Sequence, residues 1–350
     1  MRIAILWQQL SGYFDACLRA LDSAGHELYL VDLAPSEEAP FGQSLGDWMP
    51  RRHLWVDHLD TANLTNDLKA FEPDALLVSS WHIPEYRKLA RVFSGRVPRL
   101  LCMDNWWTGT SRQWLGRITA SIHIQPFYDL AFVPGIRQCQ FAQMLGFAES
   151  DIITGLYCAD TNAFSAEPRP EEAFFKNNAF LYVGRLVDSK GVNELLTAYR
   201  EYRALSSNPW PLRVAGTGPL RDRLELIDGV EHAGFRQPDA LPALMSQSTV
   251  LILPSRHEHW GVVVHEAATA GLALCCSTRV AAADRFLQEG YNGLLVAPAD
   301  SKRLVSALRT FEQMKPQAMK AMSDGSLSLA RQLTLSQWAD HLVFRVEAHR

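Results

Sequence analysis

Three short stretches of this 350-residue chain hold residue types that chemistry needs. In FLYVGRLVDSKGVNELLTAY, residues 180–199, an apolar run leads into Gly184 and Arg185, and Lys190 with Gly191 opens a helical pattern. A helix N-terminus presents unpaired N–H groups that favour anions. Lys190 adds a point charge there and Arg185 a planar fork for phosphate oxygens, so together they would neutralise a diphosphate. The same residues also suit a plain strand–turn–helix joint with exposed basic side chains. In LRVAGTGPL, residues 212–220, Gly216 and Gly218 tighten a strand end and let backbone approach a ligand. Pro219 sits near the first position of the next helical pattern. Many such turns look alike, and this one does not continue as the GxGxxG dinucleotide fingerprint.

The third stretch, LILPSRHEHWGVVVHEAATAG, covers residues 251–271. A buried strand ends at Pro254, a polar loop carries Glu258 and Gly261, and an apolar helix carries Glu266 among Val262, Val263, Val264, Ala267 and Ala268. An unpartnered carboxylate is costly to bury, so something must hydrogen-bond Glu266. A ribose diol donating two hydroxyls is one candidate; a capped strand or an arginine is the other. Glu258 is placed to accept from sugar hydroxyls, with Gly261 letting backbone N–H groups reach the same ligand.

Short apolar runs alternate with amphipathic ones, the pattern of βαβ units and a parallel sheet. Strands are expected at Ile3–Trp7, Leu28–Val31, Ala75–Ser79, Arg99–Met103, Leu130–Val133 and Ile152–Gly155. A second set is expected at Ala179–Val183, Leu212–Gly216, Val230–Ala233, Val250–Leu253, Leu272–Cys276 and Gly293–Val296. A helix over Tyr13–Ser23 stops at Gly25. Residues 34–65, rich in Pro, Trp and His, read as an irregular insertion. A polar, proline-containing stretch over 164–178 reads as a linker. The expected fold is therefore α/β, with two doubly wound Rossmann-like domains facing a cleft. They span residues 1–163 and 179–331, and a helix within 332–350 returns to the first.

Apolar content of 47% and charged content of 21% suit a soluble globular protein. A formal charge of -4 points to no nucleic-acid partner. Residues 1–165 hold 13 Lys/Arg against 18 Asp/Glu, which weakens the idea of a basic membrane-docking face in that half. The local run Arg87, Lys88, Arg91, Arg96, Arg99 reads as a solvated helix face. Six cysteines without CxxC spacing read as reduced thiols. The first apolar stretch is too short for a signal peptide, and none spans a membrane. The expected location is the cytoplasm, with at most peripheral association at the inner face of a membrane. Among the aromatics, Trp106, Trp107, Trp48 and Trp55 are candidates to stack on sugar rings or to fill a core.

In this order and spacing, Val183-Gly184-Arg185-Leu186 with Lys190-Gly191, the turn Gly216 to Pro219, and Glu258 with Glu266 resemble the retaining family-4 glycosyltransferases of the GT-B fold. The stretch EGYNGLLVAPAD, residues 289–300, is similar as well. The resemblance implies transfer of a sugar from a nucleotide-diphosphate donor to a hydroxyl acceptor, a glycan, lipid-linked glycan or small glycoconjugate. It implies no metal and no other cofactor. Arg185 and Lys190 would hold the diphosphate, Glu258 the transferred sugar and Glu266 the ribose. Gly12, Gly184, Gly216, Gly218, Phe235, His259, Trp260, Gly261 and Val262 would complete the donor site. Many relatives carry a histidine at the end of an N-terminal strand; here Met103, Asp104 and Asn105 stand there, and Asp104 is either the candidate substitute or a carboxylate that caps a turn. A sugar-nucleotide-binding scaffold without catalysis and an inverting transferase are the alternatives.

Overall fold

A computed structural model describes residues 1–34, 45–174 and 178–350. The chain divides into two compact units: Met1–Cys158 together with Leu335–Arg350, and Ala159–Thr334.

The first unit holds a seven-stranded parallel sheet of β1 (Arg2–Trp7), β2 (Glu27–Leu33), β3 (Arg52–Trp55), β4 (Ala75–Ser79), β5 (Arg99–Cys102), β6 (Leu130–Val133) and β7 (Ile152–Thr154). Their order is β3-β2-β1-β4-β5-β6-β7. The second unit holds β8 (Phe180–Val183), β9 (Leu212–Ala215), β10 (Val230–Gly234), β11 (Val250–Leu253), β12 (Ala273–Ser277) and β13 (Gly293–Val296). They pair in parallel in the order β10-β9-β8-β11-β12-β13. Central strands such as β4, β5, β11 and β12 are buried along their whole length. That is why they read as unbroken apolar runs rather than alternating ones.

Both sheets follow one doubly wound order, and the strand order reverses between β1 and β4 and again between β8 and β11. In such sheets ligands bind outside the carboxyl ends of the strands at this switch point. The loops leaving β8 and β11 begin with Gly184 and Pro254, the first and third chemistry-bearing stretches.

The helix Leu335–His349 packs on the first unit, as expected. The Trp338 indole N–H donates to the Leu156 carbonyl at 3.1 Å, and its ring meets Phe14 and Phe132. Gly25, at φ 84, follows the helix Gly12–Ser23 as its stop.

Two expectations change. The insertion expected over 34–65 contains β3 and the start of the helix Thr61–Phe71, while 35–44 lie outside the described residues. Among the described residues β3 pairs only with β2, and as a half-exposed edge strand it lacks the apolar run that marks the inner strands. The linker expected over 164–178, of which 175–177 lie outside the described residues, is packed into the second unit. Phe164 and Phe174 are buried, and Arg169 donates to the Ser248 carbonyl at 2.8 Å. The chain instead passes between units at 158/159 and 334/335.

Candidate functional site

Three loops meet at the carboxyl end of the second sheet. The loop after β8 makes a tight turn over Asp188–Lys190 and enters the helix Val192–Leu205 through Gly191. Gly191 has φ 69, and a β-carbon there would stand 2.3 Å from the Pro254 carbonyl oxygen. Only glycine lets the two loops come this close. Backbone bonds then join them, from Arg256 N–H (2.9 Å) and His257 N–H (3.3 Å) to the Ser189 carbonyl.

Gly216, at φ 147 after β9, plays the same part. A β-carbon on it would lie 1.9 Å from the Gly184 carbonyl oxygen. Gly218 lies against the Leu186 backbone in the same way. The glycines expected to admit a ligand thus first admit each other's backbone. Tyr182 adds a side-chain support, its hydroxyl donating to the Arg185 carbonyl at 2.9 Å.

On this frame Lys190 and Glu258 form an ion pair, Nζ to Oε2 at 2.6 Å, with both side chains largely buried. Ser255 Oγ donates to the same carboxylate oxygen at 3.3 Å. The two residues to which the sequence assigned neighbouring parts of one ligand are therefore joined. Arg185 is exposed beside them on the β8 loop. Arg256 is tied to Asp188 and Glu194, which further fixes the two loops.

Glu266 lies in the helix Val263–Thr269 and is buried. Its carboxylate meets no donor among the described residues. Burial, with a smaller push from Asp160, raises its pKa to about 7. Trp260 is buried in the preceding loop, and its indole N–H also lacks an acceptor among the described residues. Gly261 and Val262 connect the two, and His259 is exposed with its ring edge-on to His257. Phe235 follows β10, where His232 Nε2 bonds the Gly216 carbonyl at 2.9 Å.

The remaining candidates belong to the first unit. Gly12 opens the first helix, after the β1 loop. Asp104 follows β5; its carboxylate accepts from the Tyr157 hydroxyl at 3.4 Å and its carbonyl from Gln138 at 3.1 Å. Burial first, then the Asp104 charge, keeps the Tyr157 hydroxyl protonated far above the ordinary tyrosine range. Among the aromatic candidates, Trp106 is buried, Trp48 donates to Asp15, and Trp55 donates to Tyr86.

Sequence reasoning passed over His265. Its Nδ1 accepts from Ala159 N–H at 3.1 Å and its Nε2 bonds the Ala330 carbonyl at 3.3 Å, linking the two ends of the second unit. Burial lowers its pKa to about 4. A histidine inside an apolar helical run was the available signal, since such a ring needs two partners. Among the described residues no group of three or more His, Cys, Asp or Glu is spaced to hold a metal ion.

Residues 164–325 match the family model described as glycosyl transferases group 1. An alpha-D-kanosaminyltransferase of Streptomyces kanamyceticus is 29% identical over 192 residues, 53% of this chain and 49% of that protein. A glycogen synthase of Mycobacterium tuberculosis is 27% identical over 246 residues, 68% of this chain and 54% of that protein. The chain thus spans about half the length of these curated relatives. A crystal structure of Anabaena HepE in complex with UDP and glucose superposes with a TM-score of 0.76 at 17% identity, covering 99% of this chain and 100% of that one. The chain shares with these proteins the two parallel sheets of the GT-B fold and, over residues 164–325 of the second unit, the sequence pattern of the group 1 glycosyltransferases.

Proposed function

We propose that this chain is a retaining glycosyltransferase that moves a sugar from a nucleoside-diphosphate donor to an acceptor hydroxyl without a metal. One observation carries the proposal. Glu266 is buried and no described residue donates to its carboxylate, one loop from a cationic strand end built at the switch point of the second sheet. A ribose diol supplies the two donors that the carboxylate lacks, and the indole N–H of Trp260 awaits an acceptor in the same segment. Relatives named for sugar transfer, and a fold neighbour holding UDP and glucose, support this reading.

In the proposed reaction Arg185 and Lys190 bind the diphosphate. The bond between the anomeric carbon and the phosphate oxygen breaks, and the nucleoside diphosphate leaves with the electron pair. The acceptor oxygen bonds the same face of that carbon and passes its proton to a phosphate oxygen. Glu258, oriented by Lys190 and Ser255, accepts from hydroxyls of the transferred sugar. The side chains stabilise charge that develops on the leaving group, and preorganised stabilisation of this kind is the largest single contribution in many enzymes. Asp104 lies on the acceptor-side unit, in place of the family's histidine. The acceptor we favour is a glycan or lipid-linked glycan.

Incubation with a panel of nucleotide sugars, with NMR of the product bond, tests the proposal. The expected product keeps the donor's anomeric configuration, and EDTA leaves the rate unchanged. An inverted product assigns the inverting mechanism instead. Tight nucleotide binding with neither transfer nor hydrolysis of the donor assigns a binding scaffold. A rate that collapses in EDTA removes the metal-free mechanism.

A further inference from the structure

The helix Ser111–Ile118 in the first unit has no buried residue, although it contains Trp114, Leu115 and Ile118. Those three are 49%, 64% and 73% exposed, and Ile122 in the next short helix is 65% exposed. A helix in a globular protein ordinarily turns its apolar stripe toward the core. This one is mounted the other way round. Gln113 donates to the Trp106 carbonyl at 2.8 Å and accepts from Thr108 N–H at 2.8 Å. Gly116 faces the Trp81 ring, 3.4 Å from where a β-carbon would stand. At 3.6 residues per turn, positions 113 and 116 share one side of the helix, and 114, 115 and 118 share the opposite side. Trp114 is anchored edge-on to Trp107, which packs on Phe141, so its outer face is held in place.

Charge identifies what fits this face. Besides Arg99, which is buried and paired with Asp129, residues 86–128 hold six Lys/Arg and a single carboxylate, Asp104, while the rest of Met1–Cys158 holds six Lys/Arg against sixteen Asp/Glu. The net acidity of the first unit therefore conceals a strongly cationic sector. Arg112 and Arg117 flank the apolar stripe and are exposed, as are Lys88, Arg91 and Arg96 of the neighbouring stretch. Arg87 reaches the sector by lying over the Phe127 ring at 5.8 Å. Apolar side chains with a tryptophan on one face, flanked by arginines, is the composition of a helix that lies in a lipid headgroup region. Among the described residues no helix is long and apolar enough to cross a membrane.

We propose that the helix Ser111–Ile118 and the turn carrying Ile122 dock the first unit onto an anionic lipid surface. Trp114, Leu115, Ile118 and Ile122 enter the headgroup boundary, and Arg112 and Arg117 meet lipid phosphates. The proposal is independent of the transfer chemistry and is tested without it.

The full chain is co-sedimented with phosphatidylcholine vesicles that contain or lack phosphatidylglycerol, while UDP affinity is measured in parallel. Binding is expected to the anionic vesicles and to fall at high salt. Ile118→Glu is expected to lower the partition coefficient by at least ~10-fold, and Arg117→Gln by ~5-fold, with unfolding temperature and UDP affinity unchanged in both. Absence of binding to either vesicle overturns the proposal, as does equal binding by Ile118→Glu and the unsubstituted chain. Light scattering without lipid that shows a dimer which Ile118→Glu dissociates also overturns it, because a second copy then covers the face. Loss of transfer activity with vesicle binding intact bears on the proposed function alone.

Discussion

The two sheets share a strand order, yet their switch points are built from different materials. Between β8 and β11 the loops touch backbone to backbone through Gly191 and Pro254, and an ion pair of Lys190 with Glu258 spans them. Between β1 and β4 the link is made by neutral side chains. Gln8 N–H donates to Ser79 Oγ at 2.8 Å, and Ser80 Oγ donates to the Gln8 side-chain carbonyl. Ser80 holds φ 59, a left-handed conformation that is uncommon outside glycine. Topology therefore supplies two equivalent crevices, and among the described residues loop chemistry places Arg185 and Lys190 at the second. The proposed anion site falls in the second unit because of what lies on its strand ends, since the fold is common to both.

Four substitutions probe that contrast. Lys190→Ala removes one of the two cations proposed to hold the diphosphate. A fall in kcat of roughly 10² to 10³ is expected with folding unchanged, measured as steady-state transfer beside circular dichroism. Full activity would remove Lys190 from the reaction.

Gly216→Ala tests whether backbone contact holds the second crevice. A β-carbon 1.9 Å from the Gly184 carbonyl oxygen forces the β8 and β9 loops apart. A stability loss of about 3 kcal/mol or more is expected in urea titration, together with loss of UDP binding. A variant as stable as the parent would show that these loops are not tightly coupled.

Glu266→Gln separates binding from stability. The raised pKa of Glu266 means that the ligand-free folded chain retains a proton that the unfolded chain loses. Its contribution is full below pH 4.5 and is lost as pH rises through about 7, by roughly 3 kcal/mol. His265 acts in the opposite sense. Its folded pKa is depressed to about 4, so its contribution is present above pH 6.5 and lost as pH falls toward 4. The two nearly cancel between pH 4.5 and 6.5, and the parent is expected to have a flat stability profile there. Glu266→Gln leaves the histidine unopposed. Its unfolding temperature is expected to climb from pH 4 to 6.5 and to exceed the parent's by a few degrees at pH 8, while nucleoside-diphosphate affinity falls. Parallel profiles for parent and variant would mean that Glu266 is already satisfied.

Ser80→Gly is the control in the first crevice, and the smallest effect is expected there. Relief of about 1 kcal/mol of left-handed strain offsets a hydrogen bond of similar size. Thermal unfolding within about 0.5 kcal/mol of the parent fits this balance.

The legible parts of the chain were those governed by local rules. Inner strands β4, β5, β11 and β12 announce themselves because burial on both faces requires an unbroken apolar run. Gly191 and Gly216 are visible because their backbone conformations and close approaches leave few other residue types possible. Edge strand β3 escaped because it pairs on one side and carries exposed Leu54. The segment 164–178 was mistaken for a linker because polar composition does not reveal that Arg169 caps carbonyls some 76 and 79 residues away.

The amino-acid sequence by itself determined the α/β alternation, the glycine-closed turns, and the presence of cations and carboxylates near strand ends. These follow from backbone sterics and from the period of burial, which act over a few neighbouring residues. Only the tertiary structure decided that Lys190 meets Glu258 across 68 positions, that no described residue donates to the Glu266 carboxylate, that His265 links Ala159 to Ala330, and that the stripe of Trp114, Leu115 and Ile118 faces outward. Pairing and burial depend on which distant segments pack together, and a local pattern carries no information about which side of a helix the rest of the chain covers.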